Sequence, residues 1–138
     1  MSVAIENLIP HRAPMRFIDA LAECTDTTAV ATVCFHADSF AVANDFVLET
    51  ALVECIAQTV AAAHGQRALT HGKSDFAVTA AGMLVAVSNF KIKSRAPAGK
   101  TLRIEIRECK RFGLMHRVCG EISCDGQLIA AGELTLYA

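Results

Sequence analysis

The sequence has no run of basic residues. Its 13 Lys and Arg are balanced by 14 Asp and Glu, for a net charge of −1. A nucleic-acid surface needs clustered positive charge, so nucleic acid is not an expected partner. No C-x-x-C or H-x-x-x-H pair occurs, and structural zinc sites use such spacings, so the sequence gives no expectation of a metal. No secretory signal opens the chain. The six cysteines, Cys24, Cys34, Cys55, Cys109, Cys119 and Cys124, therefore read as reduced, mostly buried thiols of a cytoplasmic protein. No long apolar stretch is free of polar residues. The oiliest, Asp45 to Gly65, contains Glu49, Glu54 and Gln58. Each acid near a bilayer centre costs about 2.5–3.5 kcal/mol, which argues against a membrane span. No internal repeat is visible. At 53% hydrophobic and 20% charged residues the chain is not a disordered tail, and 138 residues suit one domain, 1–138, with a real core.

The same oily stretch organises the rest. From Asp45 to Gly65 there is no proline, and Ala and Leu abound, so the residues favour a helix. Asn44 or Asp45 is the expected cap at its start, and Gly65 the expected left-handed stop. Apolar residues fall on nearly every side, as in a buried helix. Thr50, Glu54 and Gln58, spaced i, i+4, i+8, form one narrow polar stripe on it. A carboxylate there is costly unless it is paired, hydrogen-bonded or protonated.

The flanking segments read as strands. Pro10 and Pro14 fix an extended, turning opening. Met15 to Ala22 and Thr28 to His36 are strand-like, the latter rich in β-branched residues. Phe76 to Ile92 reads as one long strand or two broken near Ala80–Gly82. Its Gly82-to-Val87 run, apolar on both faces, suits a central strand. Thr101 to Arg107 alternates, with Leu102, Ile104 and Ile106 on one face. Phe112 to Cys124 and Gln127 to Tyr137 complete the set, joined by the hairpin signal Asp125-Gly126. Two strands, one long helix and four antiparallel strands make an α+β layout, with the helix wrapped by a curved sheet of about six strands. One sheet covers one side of such a helix, so a second chain is expected to help close the core.

Specific residues then point to a family. The opening Pro10-His11-Arg12-Ala13-Pro14-Met15 resembles the P-H-R-x-P segment of the 3-hydroxyacyl-[acyl carrier protein] dehydratases. Glu54-Cys55-Ile56-Ala57-Gln58 resembles their E-x-x-A-Q segment, and Gly82-Met83-Leu84 their G-x-L strand. The closing run Ala131 to Tyr137 also fits. Nearly the whole chain is similar, most of all to the dehydratase-like subunits encoded with aryl-polyene pigment biosynthesis. The resemblance implies a hotdog fold and a dimer, homomeric or with another hotdog subunit, with acyl tunnels at the interface. It implies acyl thioesters as substrates, carried on the phosphopantetheine arm of an acyl carrier protein, and no other cofactor. In that chemistry a His removes the C2 proton, an acid on the central helix protonates the departing C3 hydroxyl, and backbone N–H groups polarise the thioester carbonyl.

The residues match this scheme unevenly. Glu54 stands at the position of the acid, with Gln58 placed to orient it; the simpler reading is a carboxylate held by Gln58 or an interface residue. Phe40 takes the position of the usual His, and Phe46-Val47-Leu48 replaces the Pro-Gly before the helix. Phe40, Phe46 and Val47, with Gln58, are therefore candidates for substrate contact. The base is open between His11 and His36. His11 is otherwise a pin for the N-terminal loop, and His36 ends a strand near the altered loop. His64 suits the negative end of a helix, and His116 a strand. Lys91, Lys93, Arg95, Lys100 and Arg103 could guide an acidic carrier, or simply solvate a strand edge. With the base replaced, two further readings stand beside a dehydratase: a non-catalytic acyl-binding subunit of a heterodimer, and a thioesterase in which Glu54 directs water.

Overall fold

The long helix, α1, runs from Glu49 to Thr70. It starts later and ends later than its sequence suggests, and both shifts have local causes. In the computed structural model, which describes residues 3–72 and 83–137, Asn44 and Asp45 do not cap it. Both have positive φ, 53° and 68°. They form the two-residue turn between β3 (Val42–Ala43) and β4 (Phe46–Val47). A hairpin turn with two left-handed residues suits the twist of its strands, and Asn and Asp tolerate it. The residue before the helix is Leu48, with no side-chain cap.

Gly65 does not stop the helix either; it lies inside it. A Cβ at this position would stand against the carbonyl oxygen of Leu8. Glycine thus lets the N-terminal segment, with Leu8 and Ile9 fully buried, lie directly on the helix. The left-handed residue after the helix is Gly72, φ 79°. Gly65→Ala sets two effects against each other. Alanine is better in a helix by about 1 kcal/mol, but overpacking against a backbone carbonyl costs about 1–3 kcal/mol. The clash should win, and urea denaturation of Gly65→Ala should show a lower midpoint. A raised midpoint would mean that the segment does not pack this closely.

Six strands form one antiparallel sheet: β1 (Ala20–Cys24), β2 (Thr28–Cys34), β5 (Met83–Ile92), β6 (Thr101–Phe112), β7 (Met115–Cys124) and β8 (Gln127–Tyr137), in the order β1-β2-β6-β7-β8-β5. The first strand begins later than expected from Met15. The N–H groups of Phe17 and Ile18 donate to the Gln58 side chain on the helix instead of to a strand. In β6 the alternation is as written: Leu102, Ile104 and Ile106 are buried, and Arg103, Glu105 and Arg107 are exposed. Asp125 and Gly126, φ 51° and 79°, turn β7 into β8. Leu52, Ile56 and Val60 of α1 share one core with Leu102, Ile104, Val118, Ile122 and Leu134 of the sheet. Each such burial contributes about 1.5–3 kcal/mol. Ile56 seats against Gly120 of β7, where a Cβ would meet its methyl groups within 3 Å.

Two further expectations need correction. The run expected as a central strand, whose Gly82 lies outside the described residues, gives β5, the edge of the sheet. Met83, Leu84, Val85 and Val87 are all exposed there. An apolar pattern does not say where in a sheet its strand lies. The cysteines are not all free thiols: Cys109 of β6 and Cys119 of β7 form a disulfide. Antiparallel pairing brings them together beside a register shift after Glu108, which a spacing of ten residues does not reveal. Cys24, Cys34, Cys55 and Cys124 are unpaired.

Candidate functional site

The polar stripe of α1 changes character along its length: Thr50 is exposed, Glu54 half-buried and Gln58 buried. Gln58 uses its whole amide. Its Nε2 donates to the Met15 carbonyl at 2.8 Å and to Glu54 Oε2 at 3.0 Å. Its Oε1 accepts from the N–H of Phe17 at 2.9 Å and of Ile18 at 3.4 Å. One side chain therefore fixes the segment before β1 and aims the carboxylate of Glu54. His11 completes the group, with Nε2 3.6 Å from Glu54 Oε2. Its Nδ1 is buried without a hydrogen-bond partner among the described residues. The Glu54 carboxylate is not desolvated as a fully buried helix would require: its side chain keeps 36% of its surface exposed, and that of His11 30%. Both remain open to a ligand. Arg12, next to His11, donates to the carbonyls of Glu6, Ile9 and His11 and so ties up the N-terminal loop.

The other candidates are placed differently. Phe40 is 58% exposed, and its ring lies 5.9 Å from that of Phe17, beside the Gln58 anchor. It thus borders the Gln58 anchor through Phe17. His36 is exposed; its carbonyl closes a turn with the Ser39 N–H, and no hydrogen bond or ion pair joins its side chain to Glu54. Phe46 and Val47 line a separate cleft of about 230 Å³ at the start of α1, with Leu48, Glu49, Leu52 and Arg95. The Arg95 guanidinium sits 5.1 Å from the centre of the Phe46 ring. Leu52 and Glu54 are about 200° apart around the helix at 3.6 residues per turn. A single chain therefore does not bring the cleft and the carboxylate together. Cys55 is buried, and burial with the neighbouring Glu54 pushes its thiol well above the ordinary range, so it is no nucleophile.

Within the basic run, Lys100 pairs with Asp125 and Arg103 with Glu23 and Glu105. A second polar group is one the sequence does not announce. His64 lies well inside α1, not in its last turn. It faces Glu108 of β6, and its ring lies 5.1 Å from that of the buried His116 of β7, which faces the same carboxylate. Burial first, and His116 next, hold the His64 pKa below its ordinary value against the opposing pull of Glu108. The three residues are far apart in the chain and come from three elements, so no local motif marks them.

One long helix packed on a six-stranded antiparallel sheet defines a hotdog-fold protein. Solved structures share that fold. The dehydratase heterocomplex ApeI:P from Xenorhabdus doucetiae superimposes with a TM-score of 0.88 at 22% identity, covering 99% of this chain and 91% of that one. The PaaI protein of the E. coli phenylacetic acid degradation operon gives 0.67 at 14% identity, covering 86% and 81%. A hypothetical thioesterase from Streptococcus pneumoniae TIGR4, solved with coenzyme A, gives 0.65 at 12% identity, covering 85% of each chain. Comparison with curated protein sequences finds no match. The family described as ApeP-like, ApeP dehydratase, matches residues 3–138, and the chain belongs to it. No helix among the described residues is long and apolar enough to cross a membrane.

Proposed function

We propose that this chain acts on 3-hydroxyacyl thioesters borne by an acyl carrier protein and removes water from them. The observation that carries the reading is the Glu54–Gln58–His11 group on the central helix of an ApeP-like chain. The reaction balances on two proton transfers. His11 takes the proton from C2, the C2–C3 double bond forms, the C3–O bond breaks, and Glu54 protonates the departing hydroxyl as water. His11 is then cationic and Glu54 anionic, 3.6 Å apart. A proton passing between them restores both, so the pair turns over without a third group. Gln58 holds Glu54 through the cycle. General acid–base action of this kind is worth about 10²–10⁴-fold in rate.

The substrate arm has a natural seat in the cleft beside Phe46 and Val47. The helix start there has no side-chain cap, so its free N–H groups suit a thioester carbonyl. Because this cleft and Glu54 lie on different sides of one helix, the cleft of one subunit would serve the carboxylate of its partner. The exposed apolar edge of β5 supports a second hotdog subunit pairing there, which would bury an edge that otherwise invites aggregation.

A second reading has its own observation. Phe40, in the position of the family His, is exposed and cannot act as a base. A His-bearing partner could supply the base across the interface, and ApeI:P is a dehydratase heterocomplex. Incubation of the purified chain with a 3-hydroxyacyl carrier thioester, followed by mass spectrometry, separates the readings. Loss of water is the expected result. An unchanged substrate that loses water only when a His-bearing hotdog subunit is added would assign the base to the partner. Release of the free carrier thiol would overturn dehydration in favour of a thioesterase.

A further inference from the structure

The group formed by His64, Glu108 and His116 lies apart from Glu54 and has no part in the proposed dehydration. We infer that these three residues form a binding site for one divalent transition-metal ion of the zinc type, which clamps α1 to the β6–β7 hairpin. The donor set is two imidazoles and one carboxylate, a combination that zinc and neighbouring first-row ions accept.

The geometry fits the size of such an ion. His116 Nδ1 is 3.0 Å from Glu108 Oε1, and His64 Nε2 is 3.7 Å from the same oxygen. One ligand atom from each residue can be chosen so that all lie within 4.8 Å of one another. Ligands about 2.0–2.1 Å from a tetrahedral zinc are about 3.4 Å from each other, and the two measured spacings bracket that edge. The set as a whole spans up to 4.8 Å, so the two rings draw together as an ion enters between them. The carboxylate is already divided for the task. Oε1 faces both rings, while Oε2 turns to Arg67 Nη1 at 3.6 Å. Arg67 is anchored in turn by its Nε, which donates to the Thr25 carbonyl at 2.8 Å. Arg67 therefore orients the carboxylate from behind, as outer partners do in metal sites.

The bare cluster is crowded around a single acceptor, with His116 almost wholly buried. The His116 and His64 rings, 5.1 Å apart, compete for one carboxylate oxygen. An ion bound at His116 Nδ1 takes the place of the hydrogen bond to Glu108, the ring then carrying its proton on Nε2, and converts these competing contacts into three bonds. Three protein ligands leave a fourth position for water.

The test uses the full chain freed of metal by chelator. Titration with Zn²⁺ by calorimetry, and with Co²⁺ by visible absorption, should show one ion bound per chain, the cobalt spectrum that of a four-coordinate site. Zinc should also raise the melting temperature. Both His64→Gln and Glu108→Gln should lose the calorimetric binding and the cobalt bands. His64 is only partly buried, so its variant should keep the fold, checked by circular dichroism, where a variant of the buried His116 could lose it. Absence of binding to the natural chain would overturn the inference. So would binding that survives unchanged in both variants, since the ion would then sit elsewhere, on the free cysteines or on His11 and Glu54.

Discussion

Glu54→Gln should lower the dehydration rate by about 10²–10⁴-fold, the usual worth of a general acid, with the fold unchanged. Glutamine keeps the length and polarity of the side chain, and it can still accept the Gln58 N–H at the position where Glu54 Oε2 accepts it at 3.0 Å. It cannot hand a proton to a departing hydroxyl. The side chain is one-third exposed, so the substitution leaves no buried charge unpaired and should shift the melting temperature little. Initial rates with a 3-hydroxyacyl carrier thioester, set beside thermal melts, would show the separation. The loss should fall in kcat and leave KM nearly as it was, because the proton is delivered only in the transition state. Full activity in Glu54→Gln would remove the carboxylate from the mechanism.

Gln58→Leu should instead be felt first in stability, at a cost of about 2–4 kcal/mol. The reasoning rests on what is left behind. Leucine fills a similar volume, but the buried N–H groups of Phe17 and Ile18 lose their acceptor and the Met15 carbonyl loses its donor. Each buried group left without a partner costs about 1–3 kcal/mol. The segment before β1 would come loose from the helix, and with it His11 and the Phe17–Phe40 contact. Urea denaturation measures the loss directly; a shift below about 0.5 kcal/mol, as for an ordinary surface substitution, would mean that the anchor is not needed. Activity should fall as well, since Glu54 loses the group that aims it.

Much of this was legible in the sequence because the hotdog layout depends on periodicity. The alternation of Leu102, Ile104 and Ile106, the Asp125-Gly126 turn and the oily helix each obey local rules. The E-x-x-A-Q spacing likewise announced that Glu54 and Gln58 share a face, and i to i+4 geometry makes their hydrogen bond. What stayed hidden depends on contacts distant in the chain. Gly65 reads as a stop signal locally, yet its role is set by Leu8, far away in sequence. Asn44 and Asp45 satisfy the rule for a cap and the rule for a hairpin turn equally well, and only the pairing of β3 with β4 decides. The pairing of Cys109 with Cys119 and the meeting of His64, Glu108 and His116 depend on strand register, which no spacing motif records. The β5 edge shows the same limit in another form, since its apolar faces are written in the sequence but its place at the edge of the sheet is not.

The measurement that tests the central claim most directly runs the reaction backwards in heavy water. A trans-2-enoyl carrier thioester is incubated with the purified chain and with Glu54→Gln in D2O, and the acyl chain is followed by mass spectrometry. If Glu54 and His11 form the proton-transferring pair, the natural chain adds water and places one deuterium on C2, while Glu54→Gln does neither at a comparable rate. Hydration that proceeds equally well in Glu54→Gln, or cleavage of the thioester in place of hydration, would contradict the account.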